Sequence, residues 1–83
     1  MKTHELKCEP KHFAPLLFEI KKAEIRKNDR DYKAGDRLLL REYDPKTGKY
    51  TCQTLNRKIT HVTAGGQHGI QDGYVLLSLR KGK

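Results

Sequence analysis

Three polar residues, Lys21, Glu24 and Arg26, have the types and spacing of a small binding site. On the two-residue period of a strand, Glu24 and Arg26 share a face, where the carboxylate can orient the guanidinium. Lys22 shares that face, whereas Lys21 joins it only if the backbone turns at about residues 21 and 22. Together they offer donors for a phosphate or a base edge and an acceptor for an exocyclic amine. Spacing alone leaves open a solvated strand face with an ion pair.

The charge of the chain favours a polyanionic partner. Its 83 residues carry 18 Lys and Arg against 10 Asp and Glu, a formal net charge of +8. A basic domain of this size attracts nucleic acid at long range and gains affinity by releasing counterions. RNA or a nucleotide is therefore the expected partner. An acidic protein also fits, and so does a charge that serves solubility alone, because the cations are spread along the chain.

Cysteine content and hydropathy indicate a cytoplasmic chain. Cys8 and Cys52 are too few for a disulfide framework and have no Cys or His at zinc-finger spacing, so we expect two reduced thiols. The longest apolar runs, residues 38–40 and 75–77, are far shorter than the ~20 residues of a membrane-spanning helix. We therefore expect no contact with a membrane. The first residues are followed by no apolar segment of the kind that a secretory signal contains.

Other residue types are weaker candidates. The histidines follow no metal-binding pattern, so neither a metal nor another cofactor is expected: His4, His12, His61 and His68. The tyrosines offer stacking surfaces for bases, but packing beside apolar strand residues is favoured for each: Tyr32, Tyr43, Tyr50 and Tyr74. The loop at residues 65–69 lacks the Gly-Lys-Ser/Thr ending of a P-loop, which favours a flexible connection.

The hydrophobic pattern predicts one domain over residues 1–83, mainly β with one or two short helices. Alternation predicts strands at residues 3–8, 22–27, 37–43, 49–54, 57–63 and 74–80. Phe13, Leu16, Leu17 and Ile20 have helical spacing, but Pro15 limits them to a short helix that begins near residues 12–14, or to two single turns. Turns are predicted at residues 34–36 and 44–48, a loop at 64–73 and a frayed basic tail at 81–83. Five or six short strands favour a small barrel-like fold.

The segment Lys21-x-x-Glu24-x-Arg26, with Gly35-Asp36 before an apolar strand, resembles the signature of the ASCH domains, a branch of the PUA-like superfamily. Residues 4–7 and 73–79 resemble a small, poorly characterised group within that branch. The resemblance implies a six-stranded, partly open β-barrel with a helix over one end and a cleft for RNA binding or nucleotide processing. Lys21, Glu24 and Arg26 take the places of the family's Lys, Glu and Arg. Glu19 replaces a Gly that usually stands two residues before the Lys, and it adds a negative charge there.

The leading hypothesis is an RNA- or nucleotide-binding module in which Lys21 and Arg26 contact phosphate or base edges, Glu24 orients Arg26, and Lys22 adds attraction. The resemblance extends to an amidohydrolase of an acylated cytidine that has a Thr nucleophile where this chain has Glu24. The second hypothesis is therefore a small hydrolase of a modified nucleoside or RNA phosphodiester, in which Lys21 and Glu24 act as an acid–base couple. A basic protein-interaction module is the third hypothesis. Binding is favoured over catalysis because the motif contains no hydroxyl nucleophile.

Overall fold

One sheet of five strands and one short helix make up residues 1–81, which are the residues that the computed structural model describes. The elements are β1 (Thr3–Cys8), α1 (Pro10–Leu17), β2 (Ala23–Lys27), β3 (Arg37–Asp44), β4 (Lys49–Ala64) and β5 (Tyr74–Lys81). The strand order is β1-β3-β4-β5-β2, with β1 parallel to β3 and the other neighbours antiparallel. The predicted tail is wrong at Lys81, which ends β5, and its last two residues lie outside the described range.

The sheet curls into a half-barrel because the long strand β4 pairs with β3 through its first part and with β5 through its second. The register between β4 and β5 shifts between Ile59 and His61, and a bulge of this kind bends a strand and increases its twist. The two edge strands approach each other as a result. Arg26 Nη2 of β2 donates a hydrogen bond to the carbonyl oxygen of Lys7 in β1 at 2.9 Å. The gap between these two edges is called the seam below.

Alternate side chains of the long strands point into one core, as the period of a strand requires. The helix adds Phe13 and Leu16 to it. The buried apolar residues are Leu6, Cys8, Phe13, Leu16, Tyr32, Leu38, Leu40, Leu55, Ile59, Val75, Leu77 and Leu79. A mainly β, barrel-like fold with one short helix is therefore confirmed.

Asp36 fixes the bend that leads into β3. Its carboxylate pairs with His4 Nε2 at 2.9 Å and accepts hydrogen bonds from the backbone N–H groups of Lys2 and Lys33. The hydrogen bond from His4, ahead of the two backbone bonds, holds the pKa of Asp36 below its usual value. Gly35 precedes it with φ +97°, a conformation that favours glycine. The Gly35-Asp36 pair of the sequence motif therefore has a structural role, as does His4.

The helix differs from its prediction because it continues through Pro15. It begins with Pro10 in its first turn, where the missing N–H costs nothing, and it ends two residues after Pro15. Pro15 lies in the last turn and removes only the hydrogen bond to the carbonyl of Lys11, so the break expected from a central proline does not occur. The predicted apolar stripe is wrong at its end, because Ile20 lies beyond the helix and is 81% exposed.

Residues 1–81 form five strands, where the resemblance implies six. The predicted strands at residues 49–54 and 57–63 are one strand, β4, which continues through Cys52 at φ +72°. The hairpin before it is as predicted: Gly48 has φ +70° and donates to the carbonyl of Asp44 at 2.8 Å. Cys8 and Cys52 are both free thiols, the first buried and the second exposed.

Candidate functional site

A groove of about 590 Å³ lies along the seam, between the edge of β2 and the end of β1. The four residues predicted from the sequence all line it: Lys21, Lys22, Glu24 and Arg26. Five cationic side chains and two carboxylates face this groove, so its charge suits an anionic ligand. The solvated strand face that spacing left open is wrong, because Glu24 is buried.

The centre of the groove is a carboxylate held between two cations. Lys21 Nζ donates to Glu24 Oε1 at 2.9 Å, and Arg26 donates to Glu24 Oε2 from Nε at 3.1 Å and from Nη2 at 2.9 Å. The side chain of Glu24 is 6% exposed, and both of its oxygens are bonded. Glu24 therefore orients Lys21 and Arg26, and it has little surface left to accept a bond from an exocyclic amine.

Polarity along β2 is reversed relative to an ordinary strand. Glu24 points inward, while Ile25 on the opposite face is 58% exposed. A buried carboxylate is costly unless cations and hydrogen bonds compensate it, and here three charge-assisted hydrogen bonds do so. The inward polar face is thus built around a fixed arrangement of the two cations, which is what a binding site needs.

Lys21 reaches this cluster through the turn that ends the helix. Ile20 N–H donates to Pro15 O at 2.9 Å and Glu19 N–H to Leu16 O at 3.2 Å, which is the hydrogen-bond pattern of a Schellman motif. Glu19 occupies the left-handed position of that motif with φ +58°, where helices usually have glycine. The Glu19 carboxylate lies 3.5 Å from Lys81 Nζ and does not line the groove.

Glu19→Gly is expected to raise the free energy of unfolding by about 0.5–1 kcal/mol, because glycine removes the strain of a side chain at positive φ. Urea unfolding followed by circular dichroism measures the change. Glu19→Ala is the matched control, since it removes the carboxylate near Lys81 but keeps the Cβ, and we expect it to leave the stability within about 0.5 kcal/mol of the original. Equal stability of both variants would contradict a strained turn.

The two cations keep unused donors. Both Nη2 hydrogens of Arg26 are engaged, by Glu24 and by the carbonyl of Lys7, but its Nη1 group has no partner among residues 1–81. Lys21 Nζ bonds Glu24 and lies 3.4 Å from His12 Nδ1, which leaves one of its three N–H groups. The two N–H groups on Arg26 Nη1 and the neighbouring ammonium of Lys21 can donate to oxygens of one phosphate or one base edge.

Sequence reasoning missed other side chains of the groove, and His12 and Cys8 are two with their own chemistry. His12 comes from the first part of the helix, and its ring nitrogen reaches Lys21. Cys8 is buried at the end of β1, and burial, followed by the charge of Glu24, raises the pKa of its thiol to about 11. Cys8 is thus a protonated thiol at neutral pH. No spacing signal links either residue to Lys21, because the closure of the seam brings them together.

Apart from His12, the weaker candidates lie outside the groove. Tyr32 is buried against His4, with the ring centroids 4.8 Å apart, so the packing role is confirmed for it. Tyr43 and Tyr50 form an edge-to-face pair at 5.2 Å near the hairpin. His61 and His68 are exposed and do not line the groove. Within residues 1–81, no three His, Cys, Asp or Glu side chains are arranged to hold a metal ion, and no helix has the length and hydropathy to span a membrane.

These features define the class of protein, which is a curled β half-barrel with one helix and a charged groove at its seam. The chain belongs to the family DUF3850, a domain of unknown function, whose model matches residues 3–79. That range includes the helix, the groove and all five strands except the last two residues of β5. Over 62 residues the chain is 42% identical to an uncharacterized 12.9 kDa protein in the GpA 3′ region of Escherichia phage P2. This match covers 75% of the chain and 55% of the phage protein.

Proposed function

We propose that this domain is an RNA- or nucleotide-binding module whose binding site is the groove at the seam. Arg26 and Lys21 contact phosphate or a base edge through their unused N–H groups, and Glu24 positions both. Lys22 is exposed at the rim and adds long-range attraction.

The observation that carries this proposal is the three-residue cluster of Lys21, Glu24 and Arg26. A buried carboxylate fixes two cations from opposite sides, at 2.9 Å each, while both cations keep donors without a protein partner in the described chain. Ion pairs on a protein surface are usually exposed and mobile, and they contribute little to stability. A rigid pair of partly exposed cations in a concave groove instead resembles sites that bind an anion.

We further propose that the fold is that of the ASCH domains within the PUA-like superfamily. Support comes from Lys21, Glu24 and Arg26 meeting in one groove, and from the left-handed conformation at Glu19, where the ASCH pattern has glycine. A cytoplasmic location is part of the same proposal, since both cysteines are free thiols.

Lys21→Ala is expected to weaken binding to a pool of short single-stranded RNAs by about 3- to 10-fold, because one phosphate contact is lost. The slope of log affinity against log salt concentration should also become shallower by about 0.7. Fluorescence anisotropy at several salt concentrations measures both quantities.

Lys46→Ala is the matched control for this substitution. Lys46 is exposed at the hairpin tip outside the groove, so the variant loses the same charge without changing the site. Its salt slope should be that of the unchanged protein. If Lys21→Ala bound the RNA pool as tightly as Lys46→Ala, with the same slope, the site would be wrongly assigned. Displacement of the RNA by an acidic peptide of equal charge would instead favour a protein-interaction module.

A small hydrolase is the second candidate, and the position of His12 favours it. His12 Nδ1 lies 3.4 Å from Lys21 Nζ, so an imidazole and an ammonium–carboxylate pair face one groove. Among residues 1–81, neither Ser nor Thr lines the groove, and the Cys8 thiol is protonated, so the attacking group would be water. Turnover of acylated nucleosides or RNA that Lys21→Ala and Glu24→Gln each abolish would establish this candidate, and turnover unaffected by both would exclude it.

A further inference from the structure

A second depression of about 400 Å³ continues the seam on the other side of the bond between Arg26 and the Lys7 carbonyl. It shares Lys7, Arg26 and Lys27 with the groove, so the two are neighbouring parts of one surface. Five cationic side chains and two carboxylates line it as well. An anionic chain that enters the groove therefore meets a second basic surface directly beyond Arg26.

The lining of the second depression includes a guanidinium that lies over an aromatic ring. The Cζ atom of Arg41 lies 3.8 Å from the ring centroid of Tyr50, and Arg41 Nη1 donates to Glu5 Oε2 at 3.0 Å. Tyr50 in turn packs edge-to-face against Tyr43 at 5.2 Å. The Arg41 side chain is still 38% exposed. Tyr50 and Glu5 thus fix the orientation of the Arg41 guanidinium, while part of the side chain remains exposed to solvent.

The mouth of the second depression has cations without acidic partners. Lys27 and Arg30 both line it and are exposed, and neither takes part in an ion pair within residues 1–81. Planar Arg groups supported by aromatic rings are surfaces on which unpaired bases stack, and unpaired lysines and arginines bind phosphates. The carboxylates of an acidic peptide would pair with these cations but have no ring to stack on the guanidinium that Tyr50 supports.

We propose that the second depression is a subsite for the next nucleotide of a single-stranded RNA, which rests on the proposed function of the groove. The base of that nucleotide stacks on Arg41 over Tyr50, and its phosphate lies near Lys27 and Arg30. The ligand of the domain is accordingly a strand of two or more nucleotides. A mononucleotide would fill the groove alone.

The dependence of affinity on ligand length tests this subsite. Unlabelled mixed-base ribonucleotides of one, two and four residues compete with a fluorescent RNA pool for the protein. We expect about a 10-fold or larger gain in affinity from one to two nucleotides. Arg41→Ala and Tyr50→Ala should each remove most of that gain, by about 5- to 100-fold, because base stacking is lost. Both variants should bind the mononucleotide as the unchanged protein does.

Two controls keep charge and folding separate from stacking. Arg80→Ala removes one cation from the exposed end of β5, outside both depressions, and should keep the gain with length. Tyr50→Phe keeps the ring beneath Arg41 and should also keep the gain in affinity with ligand length. An equal loss in Arg80→Ala and Arg41→Ala, or no gain with length, would overturn the subsite. Displacement of the RNA by an oligoglutamate as efficient as that by the tetranucleotide would overturn it too.

The same experiment distinguishes failure of the groove from failure of the subsite. If Lys21→Ala binds the mononucleotide normally while Arg41→Ala removes the gain with length, the groove is wrongly assigned and the subsite stands. If Lys21→Ala weakens all three lengths equally while Arg41→Ala changes none of them, the groove stands and the subsite is wrong.

Discussion

Replacement of Arg26 by alanine is expected to weaken RNA binding by about 10- to 100-fold, the largest loss for any single substitution in the groove. Two effects combine in this loss. The unused Nη1 donors disappear, and a charge-assisted contact with a phosphate or base is worth about 1.5–3 kcal/mol. The bond from Nη2 to the carbonyl of Lys7 also disappears, so the two edges of the seam are no longer held together.

Two further variants separate these effects from net charge. Arg26→Lys keeps the charge but lacks the planar guanidinium that bonds Glu24 and Lys7 at the same time, so it should recover only part of the affinity. Arg80→Ala loses the same charge far from the seam and should cost less than about 3-fold, since it affects only long-range attraction. Equal losses in Arg26→Ala and Arg80→Ala, measured by anisotropy on folded protein, would mean that RNA responds to overall charge and not to the groove.

Arg57→Met is expected to lower the free energy of unfolding by about 2–4 kcal/mol. Arg57 is buried on the inner face of β4, where Nη2 donates to Leu16 O at 2.7 Å and Nη1 donates to Asn56 O at 2.8 Å. It thus bonds the carbonyl end of the helix, which also favours a positive charge. Buried ion pairs are often replaceable by apolar residues, but these acceptors are backbone groups that no substitution removes. Methionine would remove the bond to Asn56 O and leave Leu16 O with only the 3.2 Å bond from Glu19 N–H.

The loss at Arg57 also affects the groove. The helix carries His12, and the turn that follows it delivers Lys21, so a displaced helix moves both. Urea unfolding measures the stability, with Arg80→Met on the exposed end of β5 as the control that we expect to change it by less than about 0.5 kcal/mol. For a domain of this size the total is about 4–12 kcal/mol, so the predicted loss is a large part of it. Unchanged stability in Arg57→Met would mean that Phe13 and Leu16 dock the helix without Arg57.

Local sequence patterns predicted most of the strands because those strands have one buried face. Alternation identified β1 and most of β5, and the turn at residues 44–48 was visible from an Asp-Pro start and a closing glycine. The continuity of β4 was not visible. Cys52 has positive φ and the register shifts after Ile59, so the alternation changes phase within one strand. Each such change interrupts the two-residue alternation in the sequence, but the strand itself continues.

The prediction of the helix boundary was wrong for a related reason. Pro15 breaks a helix only if turns follow it, and the number of turns that follow is set by the C-terminal cap. In that cap, Glu19 occupies the position where a glycine would have indicated the end of the helix. Ile20 therefore belonged to the predicted apolar stripe, although it lies after the cap and is exposed.

The candidate site was predicted only as far as local spacing and the family resemblance extend. Glu24 and Arg26 are two residues apart on one strand, and their contact follows from that spacing. The contact of Lys21 with Glu24 depends on the turn at Glu19. The contributions of Cys8 and His12, and the second depression, depend on the approach of β1 to β2, which are far apart in strand order. Curvature of the whole sheet produces that approach, and no local pattern encodes it.

A residue-by-residue NMR titration with a mixed-base single-stranded tetranucleotide of RNA shows directly whether RNA binds along the seam. In the unchanged protein, we expect amide shift changes concentrated at residues 7–12 and 21–27, which line the groove, with further changes near Arg30, Arg41 and Tyr50 in the second depression. In Arg26→Ala, these changes should largely disappear at the same RNA concentration. Changes centred instead on residues 57–73, or changes at the seam that persist in Arg26→Ala, would contradict RNA binding by the cluster of Lys21, Glu24 and Arg26.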